Sequence, residues 1–377
     1  MFDDIRPYYD EEIPGAMRRI AADPLFPALA SFVFPDMTVE EVRDMLVKID
    51  NISDFQEKVM YEVNLRIIKT STTGLACEGV GHIDKNKNYV FVSNHRDIML
   101  DASLLQNILH DNGLDTTEIT FGANLMKGGL VIDIGKSNKM FKVDRPGEDM
   151  RTFFRSLKHI SEYIRAAIVE RGQSVWIAQR NGRTKDGIDR TDQGIINMFR
   201  LSGSRDMVRS IAELNILPVA VSYEWEPCDV AKALELYARR QGPYVKKEGE
   251  DLQSILTGIL QPKGHVHFSI CPPVTETDLL PFADLSTNAF NCQVAKLIDR
   301  RICRAYRLFP NNYIAHDVLL GNSDCSAHYK QSEYDAFVKH LAQLEFYAGK
   351  YDMPMLKSIF LGIYANPVDS AAQFCRS

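Results

Sequence analysis

Four short stretches hold the side chains best suited to group-transfer chemistry. The first is Val90-Phe91-Val92-Ser93-Asn94-His95-Arg96-Asp97-Ile98-Met99-Leu100-Asp101, an apolar run that breaks into Asn-His-Arg-Asp just before a helical pattern. Ligands of α/β folds bind at such strand-to-helix turns. An imidazole placed there works as a general base when a carboxylate holds its other ring nitrogen. Two carboxylates qualify. Asp97 and Asp101 are four apart and share one helix face if the helix starts at Asp97. Read alone, the stretch is better explained by an N-cap at Asp97 and an ordinary turn residue at His95, because single short motifs often arise by chance.

Three further stretches change that balance. Gly135-Lys136-Ser137-Asn138-Lys139-Met140-Phe141-Lys142-Val143-Asp144-Arg145-Pro146 invites a phosphate-loop reading, but the preceding glycine, Gly129, is five residues away where four are needed. A short strand ending in Arg145 remains. Val175-Trp176-Ile177-Ala178-Gln179-Arg180-Asn181-Gly182-Arg183-Thr184-Lys185-Asp186-Gly187 runs from an apolar strand into a polar loop with three cations. Guanidinium groups suit phosphate because they donate paired hydrogen bonds in one plane. The fourth stretch, Ile216-Leu217-Pro218-Val219-Ala220-Val221-Ser222-Tyr223-Glu224, is an apolar strand entered through proline.

These loops need strands to carry them, and the patterning supplies them. Tyr89–Ser93, Glu118–Gly122, Met140–Val143, Ser174–Ala178, Ile216–Tyr223 and Val266–Cys271 read as strands. Helical periodicity covers Ile98–His110, Glu148–Arg171 and Asp206–Leu214 between them, and 287–308 and 331–348 beyond them. The expected fold is α/β: a mainly parallel central sheet with helices on both faces, plus an N-terminal helical region and C-terminal helices. The organisation expected is an N-terminal helical region over 1–75, an α/β domain over 76–280 and a C-terminal helical extension over 281–377. In the first region Ile13–Ile20, Val39–Ile49 and Phe55–Ile68 show helical spacing, and Thr38 with Glu41 forms a capping-box pattern.

Composition narrows the classes. The 377 residues carry a net charge of −6 with 45% hydrophobic content, an ordinary globular balance that argues against a dedicated nucleic-acid binder. The charge is unevenly spread: residues 136–186 hold 12 Lys/Arg against 6 Asp/Glu, a basic island that suggests an anionic ligand. A solvated helix face competes for Arg151, Arg155, Lys158, Arg165 and Arg171. Seven cysteines without a close pair fit a reducing compartment better than a disulfide framework or structural zinc. His265 and His267 share a strand face but have no evident third ligand, so no metal is expected. Asn51-Ile52-Ser53 fits a glycosylation acceptor but is expected to be idle, because the N-terminus lacks signal-peptide character. No run of 18 apolar residues exists, so no spanning helix is expected. Leu25–Phe34 and Met355–Ala365 are either buried helices or surface-seeking ones, with burial the commoner outcome.

In order and texture, the four stretches resemble the blocks of the glycerolipid acyltransferases, the glycerol-3-phosphate and 1-acylglycerol-3-phosphate acyltransferase superfamily. The resemblance covers residues 90–224 and leaves both helical ends unmatched. It implies transfer of a fatty acyl group from a thioester, either acyl-CoA or acyl carrier protein, to a hydroxyl of glycerol 3-phosphate or a lysophospholipid such as lysophosphatidate. No cofactor beyond that donor is implied. His95 would be the base, with Asp101 as its partner and Asp97 as the alternative. Arg145 and Arg183 match phosphate-binding positions, with Arg96, Asn181, Gly182 and Thr184 in the same blocks; Lys142, Lys185, Lys139 and Arg180 are lesser candidates. Backbone N–H groups from Arg96 to Ile98 are candidates for stabilising an oxyanion. Cytoplasmic placement at the inner membrane face follows from a lipid product.

Two departures stand out. The pattern places the aspartate five residues after the histidine, where this chain has Leu100 and reaches Asp101 one later. Asn181 also stands where the third block has glutamate, keeping a carbonyl acceptor but no charge. A lipid- or acyl-binding relative with altered catalysis is therefore the competing class, as is a different lyso-lipid acceptor.

Overall fold

The computed structural model describes residues 2–126, 128–144 and 150–375, with the side chains of 150 and 375 left aside. Seven strands form one sheet in the order β1-β7-β6-β2-β5-β3-β4, where β1 is Thr72–Glu78, β2 Val90–Ser93, β3 Glu118–Gly122, β4 Met140–Val143, β5 Val175–Ala178, β6 Ile216–Tyr223 and β7 Gly264–Ile270. All pairings are parallel except β6 with β7.

Side-chain alternation explains why the sheet is covered twice. Val90 and Val92 of β2, with Val175 and Ile177 of β5, enter a core closed by the helices Met150–Val169, Gln193–Arg200, Met207–Ala212 and Thr287–Ala305. Phe91 and Trp176 point the other way, into a core closed by Leu100–Asp111 and Tyr61–Ser71. Strands buried on both faces read as continuous apolar runs, which is how β2, β5 and β6 appear in the sequence.

At the N-terminus, the Thr38 and Glu41 capping box forms: the Glu41 N–H donates to Thr38 Oγ1 at 3.2 Å and the Thr38 N–H to Glu41 Oε2 at 2.7 Å. Gly135-Lys136-Ser137 closes the helix Gly129–Ser137. A phosphate loop opens a helix, so this end has the wrong polarity for one. In the C-terminal helix Met353–Cys375, Leu356, Ile359, Phe360, Leu361, Ile363, Tyr364 and Ala365 are buried, which removes Met355–Ala365 as a surface segment. Leu25–Phe34 is divided: Phe26 and Ala30 are buried while Leu25 and Leu29 are exposed. Among the described residues, no helix is long and apolar enough to cross a membrane.

Candidate active site

The loops leaving β2, β3, β4 and β5 open at the same edge of the sheet, because these strands run parallel. They line a cavity of about 720 Å³. His95 and Ile98 come from the β2 loop, Leu125 from the β3 loop, Asp144 from the β4 loop, and Arg180, Asn181, Gly182, Arg183 and Lys185 from the β5 loop. Its apolar wall includes Phe121, Phe153, Leu157, Ile195 and Met198.

His95 sits at the end of β2 with Nδ1 2.9 Å from Asp101 Oδ2. Asp101 is fully buried, and its carboxylate gathers three more donors. The Arg96 and Asp97 N–H groups reach Oδ2 at 2.6 and 2.9 Å, and the Tyr223 hydroxyl reaches Oδ1 at 2.8 Å. A carboxylate with these partners accepts from His95 Nδ1–H, which leaves Nε2 as the basic nitrogen of a ring that lines the cavity. The edge of the imidazole packs against Trp176, with ring centroids 5.8 Å apart.

The one-residue offset between histidine and aspartate is absorbed before the helix. Residues 97–99 form a bend, and the helix begins only at Leu100. Asp101 therefore lies in the first turn, where its carboxylate can turn back toward Arg96 and Asp97. Asp97 does not face His95. Its Oδ1 accepts the Met99 and Leu100 N–H groups, both at 2.9 Å, which makes it the local cap of that turn.

Several expected roles need correction. The Arg96 and Asp97 N–H groups are held by Asp101, so they do not face a developing oxyanion. The Arg96 side chain is fully buried away from the cavity lining: Nη2 donates to Asp189 at 2.6 Å, Nη1 to Glu226 at 3.3 Å, and its guanidinium lies 5.1 Å from the Tyr306 ring. Burial alone would disfavour this charge, but Asp189 and then Tyr306 and Glu226 hold it firmly protonated. Lys142 and Thr184 are not part of the cavity lining; the Thr184 N–H ties the β5 loop to the His95 carbonyl at 2.7 Å. Lys139 is half-buried, with Nζ donating to Thr116 Oγ1 at 2.9 Å. Arg165 and Arg171 are held by Glu213 and Glu118 at 2.9 and 3.2 Å. Arg145 lies outside the described residues.

The cations that the β5 loop brings to the cavity are therefore Arg180, Arg183 and Lys185. Arg183 Nη1 is buried without a hydrogen-bond partner, while the same guanidinium interacts with Cys228. Lys185 pairs with Glu235, and burial keeps its ammonium below the usual lysine range.

Residues 74–222 match the family model described as Acyltransferase. This segment is an acyltransferase-family domain. The match begins in β1, covers the first three blocks and stops within β6, so the resemblance read from the motifs is borne out at the level of the family. A solved structure similar to the chain is the 1-acyl-sn-glycerophosphate (LPA) acyltransferase PlsC from Thermotoga maritima, at 16% identity and a TM-score of 0.36, over 76% of this chain and 92% of that one. No curated protein matches the sequence.

The acyltransferase domain is held from outside its own limits. Lys232 Nζ donates to the Arg96 carbonyl at 2.7 Å and to Glu226 at 2.6 Å, closing a fully buried charge network with Arg96 and Asp189. From the C-terminal helix, Asn366 Nδ2 donates to the Asp186 carbonyl at 2.7 Å. Gly187, at φ +79°, lies so near the Ile363 carbonyl that an added Cβ would come within 2.2 Å of it. Arg239, Lys246 and Asp251, from beyond β6, also reach the cavity. No local motif in the sequence marks any of these residues, since each acts through a partner distant in the chain. Asn94 is different: it stands beside His95, where its Oδ1 accepts the Val221 N–H at 2.7 Å and its Nδ2 donates to the Val221 carbonyl at 2.9 Å.

Proposed function

We propose that the protein is a glycerolipid O-acyltransferase that moves a fatty acyl group from a thioester to a hydroxyl of a phosphorylated glycerol or lysophospholipid. The observation that supports this most strongly is the meeting, in one cavity, of the Asp101-held His95 with Arg183, whose buried Nη1 has no hydrogen-bond partner. The acceptor phosphate binds Arg183, with Arg180 and Lys185 nearby. The acceptor hydroxyl points to His95 Nε2.

His95 takes the hydroxyl proton as the alcohol oxygen attacks the thioester carbonyl. Asp101 keeps the imidazole in its Nδ1–H form and balances the imidazolium. When the tetrahedral intermediate collapses, the C–S bond breaks, the imidazolium returns the proton to the departing sulfur, and an ester and a thiol leave. The apolar wall from Phe121 to Met198 accommodates the acyl chain. The donor is acyl-CoA or acyl carrier protein; the acceptor is glycerol 3-phosphate or lysophosphatidate; and the enzyme works at a membrane surface.

An acyl-transfer assay across both donors and both acceptors tests this reading. Transfer to at least one phosphorylated acceptor is expected, with Arg183→Ala raising the acceptor KM by about 10-fold or more, the loss of one charge-assisted contact. Transfer that proceeds equally well to an acceptor without phosphate, or an unchanged KM, contradicts the phosphate role.

A further inference from the structure

The C-terminal helices gather three metal-ligating side chains that the acyl-transfer site does not use. His316 and Asp317 are neighbours on the helix Pro310–Leu320, and Cys325 returns to them at the end of the loop that follows. One ligand atom from each, a ring nitrogen, a carboxylate oxygen and Sγ, lies within 4.8 Å of the other two. None of the three residues lines the cavity that holds His95. His328, just beyond Cys325, stacks on Tyr313 with centroids 4.1 Å apart and stays outside the cluster.

The arrangement suits a cation. His316 Nε2 lies 3.4 Å from Asp369 Oδ1, on the helix Met353–Cys375. A carboxylate there keeps the ring proton on Nε2 and leaves the Nδ1 lone pair free. That Nδ1 faces Cys325 Sγ at 3.7 Å. A nitrogen about 2.0 Å and a sulfur about 2.3 Å from a tetrahedral zinc stand about 3.5 Å apart, so the pair is already near ligand spacing. Asp317 supplies a separate observation. It is 1% exposed, yet its carboxylate accepts from neutral donors: the Cys325 N–H at 3.0 and 3.1 Å and the Tyr329 hydroxyl at 2.7 Å. Among the described residues no lysine or arginine pairs with it. Buried carboxylates are ordinarily paired with a cation or coordinate a metal, and each oxygen here keeps acceptor capacity for one.

We infer that His316 Nδ1, Cys325 Sγ and the Asp317 carboxylate bind one zinc ion, with water in the fourth position. Imidazole, thiolate and carboxylate together suit zinc; magnesium and calcium take oxygen ligands. On binding, the Cys325 thiol gives its proton to solvent and ligates as the thiolate. Asp369 is the outer partner that orients the histidine. The ion clamps the loop after Pro310–Leu320 and, through Asp369, the helix whose Asn366 braces the loop after β5. Zinc here acts on the scaffold and not on the reacting groups, so its presence is independent of the acyl-transfer reading.

The test is a titration of the full chain, stripped of metal and kept reduced, with zinc against a chromophoric chelator and with cobalt(II) alone. Wild type should take up one tightly held zinc per chain. Its cobalt form should show thiolate-to-cobalt charge-transfer absorption and the intense visible bands of a four-coordinate ion. Cys325→Ser and His316→Ala should each weaken zinc binding by at least about 10-fold, the loss that even an outer partner of a ligand causes. Zinc should raise the Tm of wild type and leave that of Cys325→Ser unmoved. A wild type that takes up no zinc, a cobalt form without thiolate absorption, or a Cys325→Ser protein that holds zinc like wild type overturns the inference. The first of these is what a simple hydrogen bond between Cys325 and His316 predicts. The cobalt spectrum needs no variant, so a substitution that unfolds the chain does not blunt the test.

Discussion

At the scale of the residue, the centre of the site is a carboxylate rather than the imidazole it serves. Asp101 is inaccessible to solvent and receives donors from His95, Arg96, Asp97 and Tyr223. Burial and the neighbouring Asp101 push the Tyr223 phenol far above its usual range, so it remains a donor. Tyr223→Phe leaves Asp101 Oδ1 without that partner in a buried place, a loss of about 1–3 kcal/mol. If Tyr223 positions the base through Asp101, kcat should fall by about 10-fold with KM little changed, read from steady-state acyl transfer. A rise in KM at constant kcat would instead assign Tyr223 to substrate binding. The adjacency of His95 and Asp101 was open to reading from the sequence, but the bend at 97–99 was not. No propensity separates a helix that starts at Asp97 from one that starts at Leu100, and that difference decides which aspartate turns toward the ring.

At the scale of the element, β2, β5 and β6 were legible because burial on both faces leaves apolar runs with few alternatives, while β3 and β4, only partly buried toward their ends, still read as short β-branched and aromatic runs. β1 is partly exposed, so its pattern is weaker. The helix Gly129–Ser137 carries two glycines, poor helix formers that hide it from propensity. Asp229–Gln241 and Glu250–Leu260 were also missed, the latter because its leucines face outward and its small residues inward. That inversion has a mechanical consequence at Gly258, where the helix lies directly on Asp97. Gly258→Ala must displace either Asp97 from the turn it caps or the helix from the site, at a cost of about 1–3 kcal/mol. Denaturant unfolding should show that loss, together with reduced turnover. Unchanged stability would mean that the contact relaxes without cost.

At the scale of the whole molecule, the uneven charge has resolved into separate parts. The basic island of residues 136–186 includes the cavity cations Arg180, Arg183 and Lys185, but also arginines paired elsewhere, the half-buried Arg165 with Glu213 and the exposed Arg171 with Glu118. The acidic remainder supplies Asp189 and Glu226, which hold Arg96 beneath the site. The C-terminal helix, which the motifs left without a role, braces the loop after β5 through Asn366 and Ile363. Such long-range bracing leaves no local pattern, so the sequence revealed the chemical groups far better than the supports that aim them. In the proposed reaction His95 is the base for acyl transfer. Single-turnover transfer from an acyl thioester to a phosphorylated acceptor by wild type and by a folded His95→Ala protein tests it most directly. His95→Ala is expected to lose at least about 10²-fold in rate; near-normal turnover by that variant would show that His95 is not the base.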